Sequence, residues 1–278
     1  MHQFRRTLVV ALVLLGAAPV LQGQQPAPTA VTLSPKEMDV FLRTAKIQKK
    51  ARVSGGVTDT LRATLSDGHV THDAQIQTVD IAQPVFEAGG ATEINFKDTY
   101  RYNIGAYRLA RLLGMENVPM SVKRIVEGKD AAVTWWIDGI QFDEHGRLKL
   151  DAKDKEGPDA ERMAKQTFDR LLFDELIQNR DRNAGNLLWD KDWKLWLIDH
   201  TRAFRLGGEL MKPEQLTRGN RALLAAMRTL TFDQLKMAMD GVLTKQEITA
   251  VLVRRDLLIK WFDDRVTRLG EAAVLFTM

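Results

Sequence analysis

The segment 168–204 constrains the fold of this chain more than any other, because its sequence pattern changes repeatedly within a short length. Apolar residues at three- and four-residue spacing predict a helix that stops at Asn179. Residues 179–186, NRDRNAGN, have no apolar period and are typical of a polar loop. Residues 187–198 then predict a hairpin. This order of elements brings the loop close to Asp199, which follows the hairpin.

The loop and the end of the hairpin carry side chains suited to phosphoryl transfer to a hydroxyl. That reaction mostly requires metal ions on the nucleotide phosphates and a carboxylate that orients the attacking oxygen. We expect Asp181 to orient the acceptor hydroxyl or to accept its proton. Asn186 and Asp199 offer the hard oxygen ligands that magnesium prefers. Asp and Asn are also turn formers, so a structural role is the alternative for each residue alone, whereas the complete set favours catalysis.

The motifs DRNAGNLL and IDH resemble those of the phosphatidylinositol 3-/4-kinase-like branch of the kinase fold, including its bacterial members. Asp181 follows an arginine and precedes Asn186 by five residues, which matches the kinase catalytic-loop pattern, with Asn179 in the place of its histidine. Asp199-His200 takes the place of Asp-Phe-Gly. The resemblance covers about residues 57–206 of the chain.

This resemblance implies an α+β fold with two lobes, a small β-rich N-terminal lobe and a larger helical C-terminal lobe. It also implies an ATP- and Mg²⁺-dependent phosphotransferase. Its partners are then the nucleotide and an acceptor hydroxyl on a protein, a lipid or a small molecule. Two other functions use the same residues. One is a non-catalytic, nucleotide-binding pseudokinase that serves as an interaction module, and the other is an enzyme that transfers AMP instead of phosphate.

The first residues of the chain have the layout of a signal peptide. In residues 1–23 two arginines precede a short apolar run, and residues 24–33 predict a flexible segment. We expect export to the periplasm or the exterior, with an uncleaved anchor as the alternative, and no later segment is apolar enough to span a membrane. The remainder is predicted to divide into an N-terminal lobe, residues 34–138, and a C-terminal lobe, residues 139–278.

The predicted N-terminal lobe begins with a helix from Ser34 to about residue 51, because a capping box marks its start. A hairpin follows, with its turn at residues 66–69. Protein kinases cover the phosphates with a glycine-rich turn at the corresponding place, whereas this turn contains a single glycine. Residues 92–97 predict a third strand, and residues 102–113 predict a helix closed by a glycine.

Lys97 ends the predicted third strand, where the resembling families use a lysine to hold the α- and β-phosphates. A solvated surface lysine is the alternative. These families also carry a glutamate in the following helix, and Asn103 stands at that position here. We therefore expect either that another acid, such as Glu93 or Glu87, pairs with Lys97, or that the site is altered.

Residues 135–139, WWIDG, are predicted to form the hinge between the lobes. Backbone groups at such an edge can hydrogen-bond an adenine, with apolar side chains as walls. Trp136 and Asp138 are the predicted nucleotide contacts at the hinge, and plain core packing of the tryptophans is the alternative.

The predicted C-terminal lobe is helical beyond the hairpin. Residues 143–157 are charged and turn-rich, so they predict an exposed insert. Capping boxes at Thr231 and Thr244 predict two helix starts, and residues 248–269 predict a long amphipathic helix that packs in the core.

Composition argues against several other functions. The net charge is only +4, with no basic block interleaved with aromatics, which argues against nucleic-acid binding. The chain has no cysteine, so thiolate metal sites and cysteine nucleophiles are excluded. Its five histidines have no paired metal-ligand spacing, and it contains no serine-hydrolase elbow motif. Phosphotransfer is therefore the chemistry that named residues support.

Overall fold

The computed structural model describes residues 33–53, 60–88 and 91–278. The predicted signal peptide and most of the predicted flexible segment lie outside these residues.

The first helix is fixed at its start by reciprocal hydrogen bonds. Helix α1 spans Pro35–Thr44. The Ser34 hydroxyl accepts from the backbone N–H of Glu37, and the Glu37 carboxylate accepts from the N–H of Ser34 at 2.7 Å, which confirms the predicted capping box.

The strands of the N-terminal region and a second helix follow α1. In chain order they are β1 (Lys46–Arg52), β2 (Leu61–Ser66), β3 (Thr71–Gln77), β4 (Asp80–Ala88), β5 (Ala91–Thr99), α2 (Arg101–Leu112), β6 (Ser121–Val126) and β7 (Lys129–Trp135). Strands β1, β2, β3, β7 and β6 form one antiparallel sheet in that order. Alternate apolar residues of this sheet are buried against Phe41 and Leu42 of α1.

The first helix is shorter than predicted, because residues 46–52 form the edge strand β1 instead of continuing α1. The lysines of this segment look like the polar face of a helix in sequence. In the structure they lie on an exposed strand edge, where charged side chains are common. Because β1 precedes it, the predicted turn at residues 66–69 joins β2 to β3. The segment between β1 and β2 lies mostly outside the described residues.

A separate hairpin, β4 with β5, interrupts the chain between the main sheet and α2. The sequence predicts only β5, and as the third strand of the main sheet. That placement is wrong, because β5 pairs with β4. The chain leaves the main sheet after Gln77, and the two ends of the hairpin meet where the N–H of Tyr100, just before α2, donates to the Val79 carbonyl at 2.7 Å. The Thr99 N–H donates to the Thr201 carbonyl at 2.9 Å, so the base of the hairpin contacts the segment after Asp199.

Helices dominate the rest of the chain. In order the elements are β8 (Ile140–Asp143), α3 (Glu144–Leu148), α4 (Ala160–Ile177), β9 (Leu187–Asp190), β10 (Leu195–Leu197), β11 (Gly219–Asn220), α5 (Arg221–Thr229), α6 (Phe232–Ala238), α7 (Lys245–Leu269), α8 (Glu271–Val274) and β12 (Leu275–Phe276). The predicted hairpin of β9 and β10 is confirmed, and β8 adds a third strand to it. Both predicted capping boxes are confirmed, at the starts of α6 and α7. The predicted insert is partly ordered, since it contains α3.

The helical region is centred on α4 and α7, whose apolar faces pack together. Leu172 and Leu176 of α4 are buried with Leu258 and Phe262 of α7. Helix α2 adds buried side chains to the same cluster, so it links the sheet to the helical region. No helix within the described ranges is long and apolar enough to cross a membrane. The predicted fold class is confirmed: a β-sheet region comes first and a helical region follows.

Candidate active site

Arg182 ties the loop, the hairpin and α4 together. Its side chain is buried, and its guanidinium donates to both carboxylate oxygens of Asp174 on α4, at 3.0 and 3.1 Å. Its Nη1 also donates to the carbonyl of Asn186 at 3.2 Å and to that of Ile198 at 2.6 Å. The Ile198 N–H donates to the Asn186 carbonyl at 3.1 Å. These bonds bring the predicted metal ligands, Asn186 and Asp199, together.

Asp174 and Arg182 were not predicted to belong to the site, although the sequence contains a signal for them. Asp174 stands inside the apolar run LLFDELI near the end of α4, where an unpaired carboxylate would be costly to bury. A buried acid in such a place requires a hydrogen-bond or ionic partner, and for Asp174 the nearby loop supplies Arg182.

Asp199 has an unusual backbone conformation, which its neighbours hold in place. Its φ is 51°, in the left-handed region that non-glycine residues seldom adopt. The Thr201 hydroxyl donates to Asp199 Oδ1 at 3.1 Å, and the N–H of His200 donates to Asn103 Oδ1 at 2.7 Å. Burial keeps the pKa of the His200 imidazole well below its usual range, so this side chain is neutral. Strained residues of this kind concentrate at functional sites.

Asp181 lies on the loop with its side chain 44% exposed. Its carboxylate accepts from Arg202 Nη1 at 3.1 Å. Burial raises the pKa of Asp181; Arg202 opposes this effect, and the negative charge of Asp199 adds to it. A carboxylate with a raised pKa is a better proton acceptor, which suits the predicted role.

The β4–β5 hairpin adds acidic residues to this site, and sequence analysis did not predict Asp98 there. Asp98 is half-buried; burial raises its pKa, and the charges of Asp199 and Asp181 raise it further. Glu93 forms ion pairs with Arg202 at 3.2 Å and with Arg205 at 2.7 Å. These contacts depend on the hairpin folding over the segment after Asp199, which no local sequence pattern indicates.

Lys97 of β5 pairs with an acid from the helical region. Its Nζ donates to Glu247 Oε1 at 2.5 Å, in the first turn of α7, and the Tyr102 hydroxyl donates to the same oxygen at 2.7 Å. Glu247 is almost fully buried; burial raises its pKa, but the bonds from Lys97 and from the Thr244 N–H hold it below its usual value. The acid partner of Lys97 is therefore Glu247, and neither Glu93 nor Glu87 takes that role. A phosphate contact of Lys97 stays a prediction.

Two neutral amides are bonded to each other next to the segment that carries Asp199. Gln77 ends β3, the third strand of the main sheet, and Asn103 lies on α2. The side-chain amide of Asn103 donates to Gln77 Oε1, while its oxygen accepts from the His200 N–H. Asn103, which stands where the resembling families carry a glutamate, therefore connects β3 and α2 to the segment that carries Asp199.

An apolar pocket of about 290 Å³ lies between the sheet and the helical region. Its lining residues are Gln75, Pro119, Trp135, Trp136, Ile137, Ile140, Leu188 and Ile198. Trp136 lines this pocket, and its nucleotide contact stays a prediction. Asp138 instead pairs with His72 at 2.7 Å, and its own nucleotide contact stays a prediction. A separate cavity of about 10 Å³ shares Gln75, Pro119 and Ile198 with this pocket and is lined by Asp199, so Asp199 lies on the far side of these shared residues.

The residues present fit a magnesium ion that completes its coordination with phosphate oxygens. Among the described residues, no three histidine or acidic side chains converge closely enough to hold a metal alone. Asn186 and Asp199 offer one amide oxygen and one carboxylate, held near each other by Arg182. Magnesium at nucleotide sites is usually bound through one or two carboxylates, phosphates and water.

The β-sheet region and the helical region together form a kinase-like fold. The structure is similar to that of the Golgi casein kinase, with a TM-score of 0.64 over 86% of this chain and 76% of that chain. The sequence identity is 13%, so the similarity shows the fold alone. Similarity to the Helicobacter pylori proinflammatory kinase CtkA covers 84% of this chain and 95% of that chain at 13% identity, but its TM-score of 0.42 supports no argument. No family model and no curated protein matches the chain.

Proposed function

We propose that this protein is an ATP-dependent phosphotransferase that uses Mg²⁺ and phosphorylates a hydroxyl group. The observation that carries the proposal is the apolar pocket, which shares lining residues with a cavity lined by Asp199, together with the backbone bond between Ile198 and Asn186 on the loop of Asp181. If the adenine of a nucleotide occupies the pocket, the phosphates of that nucleotide would extend toward the side-chain oxygens of Asp199, Asn186 and Asp181. The motifs DRNAGNLL and IDH favour the phosphatidylinositol 3-/4-kinase-like branch, and the acceptor belongs to a protein, a lipid or a small molecule.

Each site residue has a distinct part in the proposed reaction. Asn186 and Asp199 would hold Mg²⁺, which neutralises phosphate charge when bound. Asp181 orients the acceptor hydroxyl and takes its proton. The acceptor oxygen forms a bond to the γ-phosphorus. The bond from that phosphorus to the bridging oxygen of ADP breaks, and its electron pair leaves with ADP.

A non-catalytic nucleotide-binding protein is the second candidate, and one observation favours it. Lys97, the predicted phosphate contact, is engaged by Glu247, and the neutral Asn103, bonded to Gln77, stands where the resembling families carry a glutamate. A kinase without a lysine on the α- and β-phosphates has lost one source of charge stabilisation. Such a protein would bind Mg-nucleotide and serve as an interaction module.

Labelled nucleotide separates these functions. The protein without residues 1–23 is incubated with Mg²⁺ and ATP labelled at either the γ- or the α-phosphate, with candidate protein, lipid and small-molecule acceptors present. We expect transfer of the γ-label, and loss of transfer in Asp199→Ala. Covalent α-label instead would identify AMP transfer. Nucleotide binding without transfer of either label would favour the interaction module.

A further inference from the structure

Next to the segment that carries Asp199 lies a pair of neutral side chains, and the cation predicted for the phosphates is held in an ion pair. Gln77 and Asn103 are bonded to each other. Lys97, the cation that the sequence predicts for the phosphates, donates to the buried carboxylate of Glu247. A transferred phosphoryl group is highly charged, so the site requires positive charge from another element.

Arg202 supplies a cation directly beside Asp181. Its Nη1 donates to Asp181 Oδ1 at 3.1 Å, and its Nη2 donates to Glu93 Oε2 at 3.2 Å. The guanidinium carbon lies 5.0 Å from the ring centre of Phe96, a buried residue of the hairpin. Asp181 and Glu93 thus bind two nitrogens of the guanidinium, and the ring of Phe96 packs against its face.

The donors of Arg202 are not used up by these contacts. Its Nε is buried and has no hydrogen-bond partner among the described residues. A guanidinium has five N–H donors in a planar fork, which matches the oxygens of a phosphate. A buried donor without a partner is uncommon in folded proteins, and a ligand is one way to satisfy it.

We infer that Arg202 is a catalytic residue that contacts the transferred phosphoryl group. The inference rests on the proposed function and adds a residue to it. In the proposed reaction the phosphoryl group passes from the nucleotide bound at Asn186 and Asp199 to the hydroxyl held by Asp181. Because Arg202 is hydrogen-bonded to Asp181, it lies within reach of that path. There it stabilises the charge on the phosphoryl oxygens, as an arginine supplied in cis does in other phosphotransfer enzymes.

The test compares nucleotides that differ in the γ-phosphate. The parent, Arg202→Met and Arg202→Gln are titrated calorimetrically with Mg²⁺ plus adenylyl imidodiphosphate, a nonhydrolysable triphosphate, and with Mg²⁺ plus ADP. We expect both variants to bind the triphosphate about tenfold more weakly, with ADP affinity nearly unchanged, since one charge-assisted contact to the γ-phosphate is lost. In the transfer assay, kcat should fall about 10²-fold or more.

The controls keep folding and function separate from this contact. Arg228→Met removes an arginine whose partner, Asp263, is exposed on the helical region, and it should bind and react like the parent. Thermal melting checks that the variants are folded, and the glutamine variant retains polar contacts with Asp181 and Glu93 if the methionine variant fails to fold. If the parent binds nucleotide without transferring phosphate, the proposed function is wrong. The affinity comparison then still decides whether Arg202 contacts the γ-phosphate.

Three results would overturn the inference. Parental triphosphate affinity and turnover in Arg202→Gln would remove Arg202 from the site. Equal losses of affinity for the triphosphate and for ADP would show that Arg202 acts on the pocket as a whole and makes no contact with the γ-phosphate. A parent without affinity for any nucleotide would overturn both this inference and the proposed function.

Discussion

At the scale of single residues, the three aspartates of the site differ because their surroundings differ. Asp199 is held in a left-handed conformation by the hydrogen bonds around it. Asp181 is half-exposed and bonded to Arg202. Asp98 reaches the site from a hairpin that is distant in sequence, and burial raises its pKa. Equal side chains therefore suit different roles, metal binding for Asp199 and proton acceptance for Asp181.

The metal ligands can be tested one at a time. Asp199→Ala should weaken binding of Mg-nucleotide by at least about tenfold, because a charged ligand is lost, whereas Asn186→Ala should weaken it less. Calorimetric titration with and without Mg²⁺ measures both effects. Asp190→Ala, which alters an acid of the nearby hairpin turn, serves as the control. If both site variants bind Mg-nucleotide like the parent, the assignment of the metal site is wrong.

The role of Asp181 can be separated from nucleotide binding by a pH profile. Asp181→Asn should bind Mg-nucleotide normally and turn over about 10²-fold or more slowly, since the proton acceptor is lost. Because burial raises the pKa of Asp181, the ionised form is lost earlier as the pH falls. Parental turnover should thus decline at a higher pH than an ordinary aspartate would give. Full turnover in the variant would exclude Asp181 from the mechanism.

At the scale of elements, the first turn of α7 does more than start a helix. Glu247 completes the predicted capping box by accepting from the Thr244 N–H at 2.7 Å. The same carboxylate accepts from Lys97 of β5 and from Tyr102 of α2. One helix start thus connects the hairpin, the helix of the sheet region and the helical region.

The Lys97–Glu247 contact predicts a stability effect. Lys97→Met leaves Glu247 buried without its cation and should lower the free energy of unfolding by about 1–3 kcal/mol at neutral pH, discounted for the partial exposure of Lys97. The parental carboxylate has a lowered pKa, so its stabilisation is lost as the pH falls through that value, and the difference should shrink there. Denaturant unfolding at several pH values measures this.

A double variant and a matched control sharpen this test. Lys97→Met combined with Glu247→Gln should recover part of the loss, because no charge is then buried. Lys50→Met breaks a pair with the exposed Glu127 and should change stability by about 0.5 kcal/mol or less. Nucleotide titration of Lys97→Met tests the predicted phosphate contact. Unchanged affinity would leave Lys97 with the structural role alone.

At the scale of the whole molecule, the location of the protein bears on its function. Residues 1–23 have the layout of a signal peptide, and export would separate an ATP site from the main pool of ATP. We therefore expect either a phosphate donor outside the cytoplasm, or a retained anchor with the protein facing inward, or binding without turnover. The arginines near the N-terminus favour a cytoplasmic start of the chain, so the inward-facing arrangement is the least favoured.

Export can be measured directly. A reporter that is active only outside the cytoplasm, fused after Met278, should be active, and the same fusion without residues 1–23 should be inactive. N-terminal sequencing of the full-length product should find a start beyond residue 23. An inactive reporter together with an intact Met1 would contradict export and remove the objection to ATP as the donor.

The sequence by itself was sufficient wherever the determining interactions are local. The capping boxes, the loop NRDRNAGN and the hairpin after it could all be predicted, because they depend on neighbouring residues or on apolar periodicity, whereas the fold class was predicted from the resemblance of the motifs DRNAGNLL and IDH. The proximity of Asp181, Asn186 and Asp199 followed from the same short-range order. These residues are close in sequence, so few arrangements of the chain could separate them.

Only the tertiary structure decided which charges meet across long sequence distances. Lys97 and Glu247 are 150 residues apart, and Arg202 and Glu93 are 109 apart. Local patterns contain no information on such pairs, because a lysine on an exposed strand and a lysine beside a buried acid look alike in sequence. The edge strand β1 was misassigned for a related reason, since its polar residues become a strand only when β2 lies beside them. Pairing energy between distant segments, and not local preference, determines these parts of the site and the fold.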